Sequence, residues 1–385
     1  MTAPRGRAYD RVVDVLRFRA LRWIAAGLGV LVLSLAAGPV PAVAGSSSLD
    51  VGDQAVVNVI VRGRGNDVTV RVWDRPSVQV DYADEAQPAL DKRTLPFGTL
   101  RYPLAAQIPP QLYTLRSGEG IGAGTMAPEE FPFAGFRPGP HDVVRIEAPE
   151  GSRLVVTVPA GTGILRLGIG GGQTSVEGYR GANLFVIQGS GRVQVTGATT
   201  TAFVQMHSGA FYAADSTFDR VRVRGIAAHA VFERCRSKQI EATSVTGTIF
   251  YDGGSFDPGL ARFESQTGSI ALGVTSGAQL SGRSSEGHVY TLFDRRGTAS
   301  VDQRGDGEAV ATVGGGGALV NAISGRGNVY FYDGSLLSRR ATTGEWRQLH
   351  QLFAAQRRPQ NGQQPRPDRP RRQGGASARA RFPRL

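Results

Sequence analysis

Leu184-Phe-Val-Ile187, then Gly189-Ser-Gly191, then Val193-Gln-Val195 is a pair of β-forming runs hinged on glycine. The same grammar returns at Ile240-Glu-Ala242, Gly247 and Ile249-Phe-Tyr251. Glycine, any residue, then a β-former recurs at Gly172, Gly191, Gly209, Gly247, Gly268, Gly287, Gly307 and Gly327, at spacings of 19, 18, 38, 21, 19, 20 and 20. Inside the double-length gap His229 takes the glycine's place, followed by Ala230-Val231-Phe232. A fixed period of this size marks stacked supersecondary units. No helical segment separates the units, which excludes leucine-rich and helical repeats. The pattern therefore predicts an all-β fold, a parallel β-helix-like β-solenoid of about nine coils with a period near 19–20 residues. A β-roll or sandwich built from the same hairpins is the alternative.

Proline and glycine sharpen this reading. Between residues 164 and 338 the only proline is Pro258, while 30 of the 52 glycines lie there. Proline cannot donate to a ladder, so this span is free to pair continuously, with glycine making the turns. Strand-like runs also precede it at 56–61, 67–73, 77–82, 143–147 and 154–158. Nine prolines fall in 85–142, which reads as a surface insertion without regular structure.

Two positions after each glycine stand Val193, Phe211, Val231, Ile249, Ile270, Val289, Ala309 and Val329, the expected core. One position further, on the opposite face of the strand, come Gln194, Tyr212, Phe232, Phe250, Ala271, Tyr290, Val310 and Tyr330. Tyr212, Phe232, Phe250, Tyr290 and Tyr330 are thereby the candidate binding residues, an aromatic row offered to a partner protein or to sugar rings. The competing expectation is that the 85–142 insertion or a second layer covers this face.

The net charge of +12 resolves into three parts. Residues 1–44 carry +4 and residues 339–385 carry +10, which leaves −2 for 45–338. A nearly neutral body weakens any nucleic-acid reading that needs a charged folded surface, and no nucleic-acid partner is expected. The basic start, the apolar run 23–37 and Ala42-Val-Ala44 predict a signal peptide, 1–44, cleaved after Ala44. An uncleaved inner-membrane anchor is the alternative. At the other end, Thr342-Thr-Gly-Glu345 has capping-box spacing, and Trp346, Leu349, His350 and Phe353 share one helical face. This predicts a short helix within 339–356 that plugs the last coil. The Arg- and Pro-rich remainder, 357–385, lacks the composition for a core and is expected to be disordered, with anionic lipid or cell-wall polymer as its possible contact.

Gly65-Asn-Asp-Val-Thr-Val70 with Trp73-Asp-Arg-Pro76, then Val156-Thr-Val-Pro-Ala-Gly161 and the Gly-x-hydrophobic repeats, resemble an exported bacterial β-strand-repeat family that carries an adhesin label. The resemblance covers roughly 50–84 and 143–338. It implies a solenoid-like envelope protein, periplasmic or at the cell surface, with no family catalytic residue to carry over.

Chemistry is sparse by comparison. The single Cys235 excludes an internal disulfide and a cysteine-rich zinc site; its neighbours Arg234 and Arg236 carry the charge that lowers a thiol pKa, but the expectation is a plain thiol rather than a redox or cross-linking one. His207, His229 and His288 read as turn residues rather than a ligand set. Asp215, Asp219, Asp252, Asp257, Asp294, Asp302, Asp306 and Asp333 mostly stand beside turn formers. Arg304-Gly-Asp306 is a common tripeptide, and the glycine runs at 168–172 and 314–317 precede no helix that could cradle phosphate. The expectation is a non-enzymatic adhesin-like or structural module with no cofactor or metal. A carbohydrate-active enzyme or carbohydrate-binding module on the same frame is the alternative.

Overall fold

A computed structural model describes residues 45–83, 87–96, 139–275, 277–293 and 299–334. Every regular element among them is a strand. The N-terminal strands are β1 (Gly45–Asp50), β2 (Val56–Val61), β3 (Asn66–Trp73), β4 (Ser77–Tyr82), β5 (Ala89–Pro96), β6 (Pro140–Ala148) and β7 (Arg153–Pro159). Four long strands follow: β8 (Ile164–Glu177), β9 (Asn183–Thr196), β10 (Thr199–Ala214) and β11 (Thr217–Glu233). Shorter ones complete the chain: β12 (Arg236–Ser244), β13 (Ile249–Phe256), β14 (Leu260–Ser265), β15 (Ile270–Val274), β16 (Ala278–Ser284), β17 (Val289–Leu292), β18 (Ala299–Gln303), β19 (Glu308–Val313), β20 (Ala318–Ser324) and β21 (Val329–Asp333).

The strands form two parallel ladders. In the first, β6, β2, the first halves of β8 to β11, β12, β14, β20 and β16 lie side by side. In the second, β7, β3, the second halves of β8 to β11, β13, β15, β21 and β17 do the same. Gly172, Gly191 and Gly209 link the halves of β8, β9 and β10 at positive φ, and a Cβ on Gly209 would lie 1.9 Å from the Gly191 carbonyl oxygen. Only glycine tolerates that approach.

Alternation buries one side of each ladder. In the second, Val193, Phe211, Ala230, Ile249, Ile270, Val329 and Val289 are successive partners and all belong to the main core. Leu184, Ala202, Val221, Ile240, Ala261, Val320 and Leu280 are the matching column of the first. Burial of each large aliphatic side chain stabilises by about 1.5–3 kcal/mol.

Spatial order departs from chain order at both ends. The pair β6 and β7 lies outside β2 and β3, and β20 and β21 insert between β14/β15 and β16/β17. The Gly307 unit is not a further parallel level. Its strand β19 runs antiparallel between β16 and β18, with Ala309 in the main core opposite Gly282. At the other end β5 pairs antiparallel with β6, and β4 with β7 and β1. Strand β5 lies within the segment expected to lack regular structure; Leu90 alternates inward there and packs on the main core.

A second repeat signal accompanies the glycines. Ser244, Ser265 and Ser284, each three residues before Gly247, Gly268 and Gly287, accept a hydrogen bond from that glycine's N–H at 2.8–2.9 Å. Each also donates across to an adjacent level, Ser244 to Ala228 O, Ser265 to Gly247 O and Ser284 to Gly327 O, and Ser324, three residues before Gly327, donates likewise to Gly268 O. The Ser-x-x-Gly spacing is visible in the sequence once the bond is known. The predicted signal peptide, the helix within 339–356 and the tail 357–385 lie outside the described residues.

Candidate functional site: the outer face of the second ladder

The residues opposite the core column form a row in the order Gln194, Tyr212, Val231, Phe250, Ala271, Tyr330 and Tyr290. Tyr212, Phe250, Tyr290 and Tyr330 stand where the periodicity put them; Phe232 does not. Gly209 pairs with Ala228, and Ala210 with His229, so the imperfect unit begins one residue earlier than His229 suggests. A one-residue slip reverses every side chain. Phe232 therefore points inward, fully buried in the main core and edge-to-face with Phe211 at 5.5 Å. Val231, expected inside, joins the outer row instead.

The row is not a uniform platform. Val231, Phe250, Ala271 and Tyr330 form a separate buried cluster, each at most 6% exposed, with Tyr212 and Tyr332 packed against it. Phe250 and Tyr332 rings lie 6.4 Å apart. At the end of the row, Tyr290 and Tyr330 stack at 5.1 Å with planes 15° apart, and His288 lies 5.8 Å from Tyr290. Asn328 Nδ2 donates to the Tyr330 hydroxyl at 2.9 Å. Tyr290 is 39% exposed, so an open aromatic ring exists at this end of the row.

Two carboxylates, Glu233 and Asp252, are direct partners on β11 and β13, two residues beyond the row. Tyr212 donates to Glu233 Oε2 at 2.5 Å, and Tyr332 donates to Asp252 Oδ1 at 3.1 Å. Burial raises the Asp252 carboxyl to about 6, and the charge of Glu233 adds to it, while the Tyr332 hydrogen bond and Arg234 oppose. Burial and these same carboxylates push the Tyr212 and Tyr332 hydroxyls upward. An acid poised near 6 beside a second carboxylate has the character that proton transfer requires. Here both acids are occupied by tyrosine hydroxyls. Sequence reading set Asp252 aside as a turn residue; its place in register with Glu233 was not visible without the strand pairing.

Other candidates settle into structural roles. Burial pushes the Cys235 thiol up to about 12, so its arginine neighbours do not activate it. His229 Nδ1 accepts from the Thr248 N–H at 3.1 Å. Asp215 pairs with Arg234, Asp219 with Lys238, Asp257 with Arg236, and Asp302 with Arg304 of the Arg-Gly-Asp tripeptide. Among the described residues no group of three or more His, Cys, Asp or Glu is placed to hold a metal ion. An open cleft of about 260 Å³ lies elsewhere, between Asp53, Arg75, Pro76 and Pro159.

Comparison with known proteins adds little. No family model matches the chain, and no curated protein does so. A crystal structure from Clostridium sporogenes, described as a "putative cell adhesion protein", is similar at 9% identity with a TM-score of 0.25. The match covers 75% of this chain and 99% of that one. At that TM-score the likeness carries no argument about fold or function.

Proposed function

We propose that this chain is a non-enzymatic, exported β-solenoid that serves the cell envelope as an adhesin-like or structural module. The observation that carries the reading is the surface chemistry of the two ladders. Glu233 and Asp252 are held by the Tyr212 and Tyr332 hydroxyls, and among the described residues Tyr290 offers an exposed aromatic ring, backed by Tyr330. A flat stacked pair with one exposed face suits a sugar ring or an apolar partner surface. Export rests on the sequence of residues 1–44 alone.

The test is a glycan array and pull-down from envelope extracts with the wild-type chain and Tyr290→Ala. Binding to a saccharide or envelope component that is lost in the variant supports the reading, and equal binding by both removes Tyr290 from it. One observation favours the enzymatic alternative, the raised Asp252 carboxyl beside Glu233. Turnover of an acidic polysaccharide that disappears in Asp252→Asn would replace the non-enzymatic reading.

A further inference from the structure

Tyr290 stands on the last strand of the second ladder. Among the described residues β17 has β21 as its one ladder partner, on the Tyr330 side. The Tyr290 and Tyr330 rings stack at 5.1 Å with planes 15° apart, close to the strand spacing of about 4.8 Å. The rings therefore pile along the ladder axis. The free face of Tyr290 looks off the end of the row, where a further level would lie.

One peptide group determines what frames that face. The His288 carbonyl accepts from the Val329 N–H of β21 at 2.9 Å. A trans peptide points its N–H opposite to its C=O, so the Val289 N–H is turned to the open side. There it donates to the Asp306 carbonyl at 2.8 Å, and Gln303 Nε2 donates to Val289 O at 3.3 Å. The turn between β18 and β19 is thereby fixed on the side of the free ring face. Within this turn Arg304 is drawn back to Asp302 and Glu308, while Asp306 stays exposed. His288, two residues before Tyr290 and so on the same face, is also exposed and lies 5.8 Å from the ring.

We propose that the free face of Tyr290, rimmed by His288 and Asp306, is a subsite for a neutral β-gluco-configured pyranose. The proposal rests on the role given to Tyr290 above and narrows it. A pyranose of this configuration carries its hydroxyls equatorially around a flat face of axial C–H groups. That face stacks on the tyrosine as the next member of the row. The in-plane hydroxyls donate to the Asp306 carboxylate and meet the His288 imidazole. A uronate is disfavoured, because its carboxylate would stand against the like charge of Asp306.

The surroundings favour a sugar over a protein. A protein partner needs contiguous apolar area at the centre of its interface. Among the described residues the other exposed large apolar side chains are Leu260, Leu319, Ile323 and Val301. They lie on β14, β20 and β18, strands of the first ladder and its continuation. Tyr290 has polar neighbours instead, and one aromatic face with hydrogen-bonding groups at its edge is what a single sugar ring requires.

Saturation-transfer difference NMR on the full chain tests the subsite, with methyl β-D-glucopyranoside and methyl β-D-glucopyranosiduronate as probes. Wild type should transfer to the glucoside, concentrated on the axial protons of one ring face, and not to the uronate. Tyr290→Ala should abolish the transfer and Tyr290→Phe should keep it. Asp306→Asn leaves the main-chain bond to Val289 in place. It should weaken glucoside binding severalfold, through loss of the charged acceptor, and admit the uronate. His288→Ala should weaken the glucoside severalfold as well. Absence of transfer to the glucoside in wild type overturns the inference. Transfer that persists in Tyr290→Ala, or an equal response of Asp306→Asn and wild type to both probes, does the same. An envelope component lost from Tyr290→Ala in the pull-down, with the glucoside silent, would leave the adhesin-like reading standing while the sugar subsite falls. Silence in both experiments removes both.

Discussion

The hydroxyl of Ser324 donates to the carbonyl of Gly268 at 3.0 Å, across 56 residues of chain. That bond records the reordering of the last levels, because in chain order the neighbour of the Gly268 level is the Gly287 level. Ser284 of that level reaches instead to Gly327 at 2.8 Å. Ser324 is fully buried. Ser324→Ala should cost about 1–3 kcal/mol in urea unfolding, the cost of a buried carbonyl left without its donor. Thr267→Ala, which removes an exposed and longer contact to Val245 O, should stay within about 0.5 kcal/mol.

Asp252 makes stability depend on pH in an unusual sense. Its carboxyl titrates near 6 in the folded protein against an ordinary value of 3.8. The folded state therefore binds more protons than the unfolded one between those values, and stability falls as pH rises through them. Asp252→Asn removes the penalty. The variant should match wild type below about pH 4 and exceed it by on the order of 1–2 kcal/mol above about pH 7. Thermal unfolding across that range checks it, and a constant offset at every pH would contradict the assignment.

Asp215 and Arg234 occupy the same corner in successive levels, both at φ of 50°, where Gly178, Gly197 and Gly253 stand in the neighbouring ones. Left-handed backbone costs a non-glycine residue about 1–2 kcal/mol. Their bidentate ion pair, at 2.7 and 2.8 Å, is solvent-screened and returns at most about 1 kcal/mol. Arg234→Gly should therefore be more stable than Arg234→Ala by about 1 kcal/mol. The hydrogen bonds from Arg234 hold the Asp215 carboxyl below its usual range. Their stabilisation is present above that range and lost as pH falls through it, so both variants should lose less stability on acidification than wild type.

Phe232 and Tyr290 should separate cleanly in mutagenesis. Phe232→Ala empties a fully buried site between Phe211 and Tyr251 and should cost about 3–5 kcal/mol. Tyr290→Ala, at an open edge, should cost less than about 1 kcal/mol. Chemical denaturation of the two variants measures the difference, and equal losses would place both residues on the same face.

Cys235 should be silent in the native state. It is buried, and its thiol is pushed up to about 12. Iodoacetamide at pH 8 should leave it unmodified until denaturant unfolds the chain, when labelling becomes complete. Native-state labelling at the rate of a free thiol would contradict the burial.

How much of this was legible in the chain follows from which interactions are local. Glycine spacing, a span with the single Pro258 and two-residue alternation are properties of consecutive residues, and they determined the all-β class and nearly the whole inner column. The exception, Ala228 in the glycine's place, hid the phase of β11 and carried Phe232 to the wrong face. The candidate site was read in part for a similar reason: Tyr212, Phe250, Tyr290 and Tyr330 follow from period, whereas Glu233, Asp252 and Tyr332 acquire meaning only beside one another. Tertiary structure alone decided the order of levels. Units of nearly equal length pair equally well with either neighbour, so a bond such as Ser324 to Gly268 is selected by how the whole stack closes its core, not by any residue's place in the sequence.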